Sequence, residues 1–264
     1  MNELVCVITG GTSGIGRCTA EAMKAAGYTV YELSRREAGL EGFYHIPTDV
    51  TSEEMVNSAV SKILAQAGHI DVLINNAGFG VSGAVEFTAP RDARHQFDVN
   101  FFGMVNMVKA VLPSMRQARH GRIVNLSSVA APVPIPFQAY YSASKAAIND
   151  YTMALANEVR PYGVEVCCVQ PGDIKTGFTA AREKVREGDD VYGGRIARSV
   201  AVMEHDEQTG MSPEKAGAFI CRVATRRRVK PISTIGFPYQ CACFLVKLLP
   251  AAALNRMVGK LYAK

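Results

Sequence analysis

A chain of 264 residues, 48% hydrophobic and 20% charged, is long enough to bury a substantial core and has the make-up of an ordinary soluble globule. Its net charge of +5 is modest and spread along the chain. The single dense run, Arg226, Arg227, Arg228 and Lys230, suits a solvated helix end better than a nucleic-acid footprint.

The amino terminus, MNELVCVITGG, enters a strand at once and leaves no room for a signal peptide. Leu4 to Thr9 is a continuous apolar run, the pattern of a strand covered on both faces of a parallel sheet. TGGTSGIG follows, with glycines at 10, 14 and 16. Next come Ile15, Cys18, Thr19, Ala22, Met23 and Ala26 at 3–4 spacing, predicting an amphipathic helix ended by Gly27. Strand, glycine loop and helix together make an anion site. The glycines let the backbone approach a pyrophosphate, and the helix start supplies unpaired N–H groups and the positive end of the dipole.

A second strand, Thr29 to Leu33, ends at Ser34, Arg35 and Arg36. In dinucleotide folds an acid near this strand end holds the ribose hydroxyls of NAD, whereas arginine accommodates the 2′-phosphate of NADP. Here the acid is missing and a cation stands beside the gap, which favours NADP(H). Glu32 is the nearest carboxylate, and strand alternation leaves its direction open. The other reading makes both arginines surface solubilisers.

Phe43 to Pro47 reads as a third strand, followed by Asp49 and Val50. Thr51 and Glu54 have capping-box spacing and predict a helix to Gln66. Ile70 to Ile74 is a fourth strand that runs into Asn75, Asn76, Ala77 and Gly78. A helical stretch from Pro90 to Gln117 contains Asn100, and a fifth strand, Arg122 to Leu126, delivers Ser127 and Ser128. A helix over AYYSASKAAIN places Tyr141 and Lys145 four positions apart, on one face. A phenol beside an ammonium can exchange a proton with a substrate oxygen, because the cation favours the phenolate and lowers its pKa. A sixth strand, Val164 to Val169, closes on Gln170, Pro171 and Gly172. Alternating strands and helices call for a doubly wound parallel α/β sheet, with Thr9, Asn75, Ser128 and Pro171 at the strand ends where ligands bind.

The seven cysteines form no CxxC and no metal-ligating spacing. Cys6, Cys167 and Cys168 lie in apolar runs, so no metal is expected and a reducing cytoplasm fits best.

TGGTSGIG, Asp49 with Val50, NNAG at 75–78, Asn100 in VNFFG, Ser128, YSASK at 141–145 and PGDIKT at 171–176 resemble the short-chain dehydrogenase/reductase family, over residues 4 to about 176. The resemblance implies a Rossmann-type sheet of seven strands and hydride transfer between nicotinamide and a carbonyl or alcohol carbon. It makes Tyr141 the general acid/base and Lys145 the group that lowers its pKa and binds the nicotinamide ribose. Ser128 becomes a hydrogen-bond partner of the substrate oxygen, with Ser127 sent to the opposite face by the pleat. Asn100 becomes the residue that bends its helix and anchors a water linked to Lys145. It also implies cofactor contacts from Gly10, Gly14, Ile15 and Gly16 at the pyrophosphate, and from Ser34, Arg35 and Arg36 at the 2′-phosphate. Asp49 and Val50 fall at the adenine, Asn76 and Ala77 at the strand end, and Ile174 and Thr176 at the carboxamide, with Gly78, Pro171 and Gly172 among the remaining cofactor contacts. Thr12 and Ser13 stand where some NADP-preferring members carry a basic residue inside the loop, so NADP preference rests on Arg35 with help from Arg36.

Beyond Thr176, residues 177–210 read as a substrate lid with helix-like pieces around 182–186 and 195–203. Ser212 and Pro213 start a helix to Ala224, and Val229 to Ile235 is a final edge strand, since Pro231 argues against a central place. From Gly236 on, Phe237, Phe244, Leu245, Leu248, Leu249, Leu254, Met257, Val258 and Leu261 alternate with Lys247, Arg256, Lys260 and Lys264, predicting amphipathic helices broken at Pro250. Such a tail packs on the body or a dimer mate, walls the substrate site, or attaches shallowly to a membrane without spanning it. The expectation is a single domain, a homodimer or homotetramer, and an NADP(H)-dependent carbonyl reductase or alcohol dehydrogenase for a bulky apolar, steroid-like substrate. A ketoacyl-thioester reductase and a cofactor-binding sensor or scaffold are the alternatives.

Overall fold

In the computed structural model, which describes residues 3–263, the chain begins with β1 (Leu4–Thr9), α1 (Gly14–Ala25), β2 (Tyr28–Ser34), β3 (Tyr44–Pro47), α2 (Glu53–Ala67), β4 (Val72–Asn75) and the short β5 (Val81–Ser82). It continues with α3 (Pro90–Phe97), a π-helical turn at Asp98–Phe102, α4 (Gly103–Ala118), β6 (Gly121–Leu126), α5 (Ala139–Val159) and β7 (Val164–Gln170). The last third holds α6 (Phe178–Ala181), β8 (Glu183–Lys184), α7 (Arg195–Thr209), α8 (Pro213–Thr225), β9 (Ile232–Thr234), α9 (Phe237–Val246) and α10 (Ala251–Tyr262). Lys264, counted above among the tail's cations, lies outside the described residues.

Seven strands pair in parallel in the order β3-β2-β1-β4-β6-β7-β9. This is the doubly wound Rossmann-type sheet that the motifs imply, and β9 is its edge. Successive strand residues feed opposite faces, as the pleat requires. Val5, Val7, Leu33, Leu73 and Ile123 meet α2, α4 and α5 on one side. Cys6, Ile8, Val30, Ile74 and Val124 meet α1 and α8 on the other. Each fully buried aliphatic side chain contributes about 1.5–3 kcal/mol. The path turns back at β1, since β2 lies on one side of it and β4 on the other, and a crevice therefore opens beyond their carboxyl ends.

Four local expectations shift. The cap of α2 is Ser52, whose hydroxyl accepts from Met55 N–H at 3.2 Å. Thr51 instead donates both its N–H and its hydroxyl to Asp49 Oδ1, a nearer acceptor. The fourth strand starts at Val72, because the Asp71 carboxylate takes the Val5 N–H at 2.7 Å in place of a ladder carbonyl. The stretch from Pro90 to Gln117 is two helices with the π turn between them. Residues 182–186 form no helix: Arg182 is extended, and Glu183–Lys184 pairs with Val81–Ser82 as a two-stranded parallel ribbon.

The tail forms α9 and α10 on either side of Pro250, as its pattern predicts. Among the described residues, no helix is long and apolar enough to cross a membrane, and no cluster of side chains is arranged to hold a metal ion.

Candidate active site

The glycine loop is shaped by positions that only glycine tolerates. Gly10 (φ +65°) and Gly14 (φ +54°) adopt left-handed backbone, and a Cβ on Gly16 would sit 2.2 Å from the Gly10 carbonyl oxygen. Ser13 is the cap residue of α1, yet its side chain bonds no N–H group and the first turn holds no acid. The first-turn N–H groups and the positive dipole end are thus left for an external anion. Thr9 Oγ1 accepts from the N–H groups of Asn76 and Ala77, 3.0 Å each, and Asn76 Nδ2 donates to the carbonyls of Thr9 and Gly10. The ends of β1 and β4 are sewn together directly under the loop.

Glu32 is fully buried, which settles its direction. Its carboxylate accepts from Gly11 N–H at 2.9 Å and pairs with His45 Nδ1 at 2.6 Å, beneath the loop and away from the cleft. His45 Nε2 in turn meets the Arg36 carbonyl at 2.8 Å. The exposed Arg35 and Arg36 therefore stand at the rim on an anchored backbone, with Ser34 beside them and the Glu32 carboxylate turned inward.

At the other end of the cleft α5 presents Tyr141 and Lys145. Lys145 Nζ donates to the Leu126 carbonyl at 2.9 Å and lies 5.7 Å from the centre of the Tyr141 ring. Burial opposes charge on both. It lowers Lys145 from 10.5 to about 8. Tyr141 is pushed up to about 12, chiefly by burial, with a smaller raising effect from Glu207 and Asp173; its hydrogen bond with Ser128 and the nearby Arg182 act the other way. A phenol lowered by its lysine neighbour is expected from the sequence, whereas in the protein alone burial raises Tyr141. Ser128 follows β6, its Oγ accepting from Ala130 N–H. Ser127 turns away and donates to the Lys145 carbonyl at 2.9 Å, fastening β6 to α5.

Asn100 sits inside the π turn, 1% exposed. Its Oδ1 accepts from Phe79 N–H, and its Nδ2 donates to the Phe79 carbonyl and to Ser144 Oγ. It thus ties the strand-end loop, the distorted helix and α5 together.

One cleft of about 1000 Å³ gathers the predicted residues. Gly10, Thr12, Ser13, Gly14, Ile15, Gly16, Ser34, Arg35, Arg36, Asp49 and Val50 line one end. Asn76, Ala77, Gly78, Ser128, Tyr141, Lys145, Pro171, Gly172, Ile174 and Thr176 line the rest, and Asn100 alone stands behind the wall. The mouth near Tyr141 adds side chains beyond the predicted site residues. Phe178 packs on Tyr141 with ring centres 5.9 Å apart, Asp173 accepts from Tyr239 Oη at 2.5 Å, and Glu207, Met203 and Tyr262 complete the lining. Apart from Asp173, which lies in PGDIKT after β7, these come from helices after residue 177, where the sequence carries no spacing that ties them to the cleft.

A family model described as short chain dehydrogenase matches residues 4–187. A 3-ketodihydrosphingosine reductase from Bacteroides thetaiotaomicron is 43% identical over 231 residues, covering 86% of each chain. A short-chain dehydrogenase from Streptomyces avermitilis superposes with a TM-score of 0.84 at 30% identity, over 98% of this chain and 96% of its own. ElxO with NADP bound superposes with a TM-score of 0.75 at 26% identity, over 90% of this chain and 99% of its own. With the sheet order, the glycine cradle and the Tyr141/Lys145 pair all in place, the chain belongs to the short-chain dehydrogenase/reductase family of oxidoreductases.

Proposed function

We propose that the protein is an NADP(H)-dependent reductase of a ketone on a long, lipophilic substrate, a β-hydroxy amine or sphingoid-like ketone being the first candidate. The observation that carries this reading is the two-ended cleft. One end has a glycine cradle with Arg35 and Arg36 at the rim and Ser34 at the end of β2, and the other has the Tyr141 phenol under a mouth that mixes apolar side chains (Phe178, Met203, Tyr262) with Asp173 and Glu207. The residues fit a dinucleotide: unpaired N–H groups at α1 for the pyrophosphate, Arg35 with Ser34 and Arg36 for the 2′-phosphate, Asp49 and Val50 for the adenine, and Lys145 for the nicotinamide ribose. The bound nicotinamide supplies or accepts the hydride.

The chain's own residues manage the oxygen. As the carbonyl is reduced, negative charge builds on its oxygen, and the hydroxyls of Tyr141 and Ser128 are two donors placed to stabilise it. Tyr141 gives up its proton to that oxygen in reduction and takes it back in oxidation. Lys145 keeps a cation beside the phenolate that remains. Asn100, bonded to the Phe79 backbone and Ser144, holds the wall behind them.

The lipophilic substrate draws support from the mouth, where Phe178, Met203 and Tyr262 offer apolar surface, and from the likeness to the 3-ketodihydrosphingosine reductase. The tail supports it further. It lends Tyr262 to the cleft and leaves Phe237, Phe244, Leu245 and Leu248 exposed, a surface suited to shallow contact with lipid or with a second copy. The test is nicotinamide absorbance with each coenzyme against a panel of long-chain, steroidal and small polar ketones. NADPH oxidation with the long-chain ketones is expected, and Tyr141→Phe should lose at least about a hundredfold in kcat while still binding NADPH. Equal turnover of small polar keto acids, or a Tyr141→Phe variant with most of its activity, overturns the reading.

A further inference from the structure

Arg182 is unusual for a charged residue in this chain: its side chain is 1% exposed, and it lies at the end of α6 in the segment that roofs the cleft. Its Nη2 donates to Glu207 of α7, whose other oxygen accepts from Thr179 Oγ1 at 2.6 Å. The guanidinium lies 5.6 Å from the centre of the Phe178 ring, which packs on Tyr141. With the Gln138 amide turned so that its oxygen faces the guanidinium, that oxygen accepts from Nε and Nη2 at 3.2 Å each. Gln138 is the residue that starts the catalytic helix, one turn before Tyr141. Glu183, next in the chain, donates its N–H to the Gly80 carbonyl and enters the β5/β8 ribbon. A buried guanidinium thus joins the roof, α7 and the head of α5 at one point.

We propose that Arg182 is a positioning residue for proton transfer: it latches the roof of the cleft onto the head of α5 and, with Glu207, sets the electrostatic balance around the Tyr141 hydroxyl. The proposal rests on Tyr141 being the proton-transfer residue. The groups that act on that phenol come from every side: Lys145 of α5 lies over its ring, the Ser128 hydroxyl after β6 hydrogen-bonds it, and Asp173 after β7, Arg182 after α6 and Glu207 of α7 act on it through their charges. Of these, Arg182 favours the phenolate and Glu207 opposes it. Removing one member of a bound pair exposes the other's charge to Tyr141, so the two deletions act with opposite sign. A purely structural latch has no such asymmetry, since breaking either side loosens the same contact.

The experiment is the pH profile of kcat for alcohol oxidation with NADP, which requires the phenolate and therefore rises through the apparent pKa of Tyr141. Arg182→Met is expected to move that rise to higher pH by at least about half a unit, and Glu207→Gln to lower pH by a similar amount. Arg182→Lys restores the cation without its fork and should return the midpoint towards wild type, with KM for the ketone still raised at least about threefold. Should Arg182→Met not fold, as judged by circular dichroism and NADPH binding, the Arg182→Lys and Glu207→Gln profiles decide. Shifts in the same direction for Arg182→Met and Glu207→Gln, or a Glu207→Gln midpoint equal to wild type, overturn the proposal. An active Tyr141→Phe would instead fail the underlying reading, so the two failures are told apart.

Discussion

Lys145 carries a cost that can be measured. It is 6% exposed, and burial lowers its pKa from 10.5 to about 8. A difference of that size between unfolded and folded states corresponds to about 3 kcal/mol held against folding wherever both states are protonated. The sign follows from proton counts. Below about pH 8 the full penalty applies. Between pH 8 and 10.5 the unfolded chain binds more protons than the folded one, so stability rises with pH and the penalty fades. Lys145→Met removes the charge and forfeits the 2.9 Å bond to the Leu126 carbonyl, about 1 kcal/mol. The net expectation at pH 7 is a gain of about 2 kcal/mol, or roughly 4–8 °C in Tm for a chain of this size, with activity lost. Thermal melts of both proteins at pH 7 and pH 9.5, without nucleotide, test this, and the gap should narrow at the higher pH. A Lys145→Met protein that melts lower at pH 7, or a gap that does not change with pH, would refute the reasoning.

Arg35→Asp places a carboxylate where the rim now has a cation, and should weaken NADPH binding about ten- to a hundredfold relative to NADH, read as the ratio of Kd values by fluorescence titration. Gly16→Ala drives a methyl to within 2.2 Å of the Gly10 carbonyl and 2.4 Å of Asn76 Nδ2; a loop shift of about 1 Å is the minimum relief, and coenzyme affinity should fall about a hundredfold while the sheet still folds. Tyr262→Ala opens the mouth from the tail side and should raise KM for a long-chain ketone several-fold with the NADPH Kd unchanged, because its ring lines the cleft far along the chain from the glycine loop.

Much of the coenzyme half was legible because it depends on backbone, and backbone needs leave marks at fixed spacing. Glycines 10, 14 and 16 declare their turn, and strand ends declare the crevice. The family resemblance makes Asn100 the residue that bends its helix, and the structure has Asn100 within a π turn. The direction of Glu32 was not, since alternation gives a face without saying that Gly11 N–H and His45 wait there. The start of α2 moved by one residue because Asp49 outcompeted the helix for Thr51. The mouth was least legible. Arg182 just after α6, Glu207 in α7 and Gln138 just before α5 meet across 69 positions of sequence separation, and nothing periodic links them. The burial that raises the phenol was not legible either, because a sequence names charged neighbours more readily than it measures the water excluded around them.

The wide turn at Asp98–Phe102 has a bearing on which changes the chain tolerates. An α-helix advances about 100° per residue, so the extra residue carried there swings everything downstream round by that angle. His95 before the turn and Val99 within it line the cleft, while Met104, Met107, Val108, Val111 and Met115 beyond it are driven into the core against the sheet. Deleting one residue between 98 and 102 would straighten the rod and aim five large anchors at the wrong partner. A single codon there governs how α4 seats against the sheet, whereas the same loss in an exposed turn would go almost unnoticed.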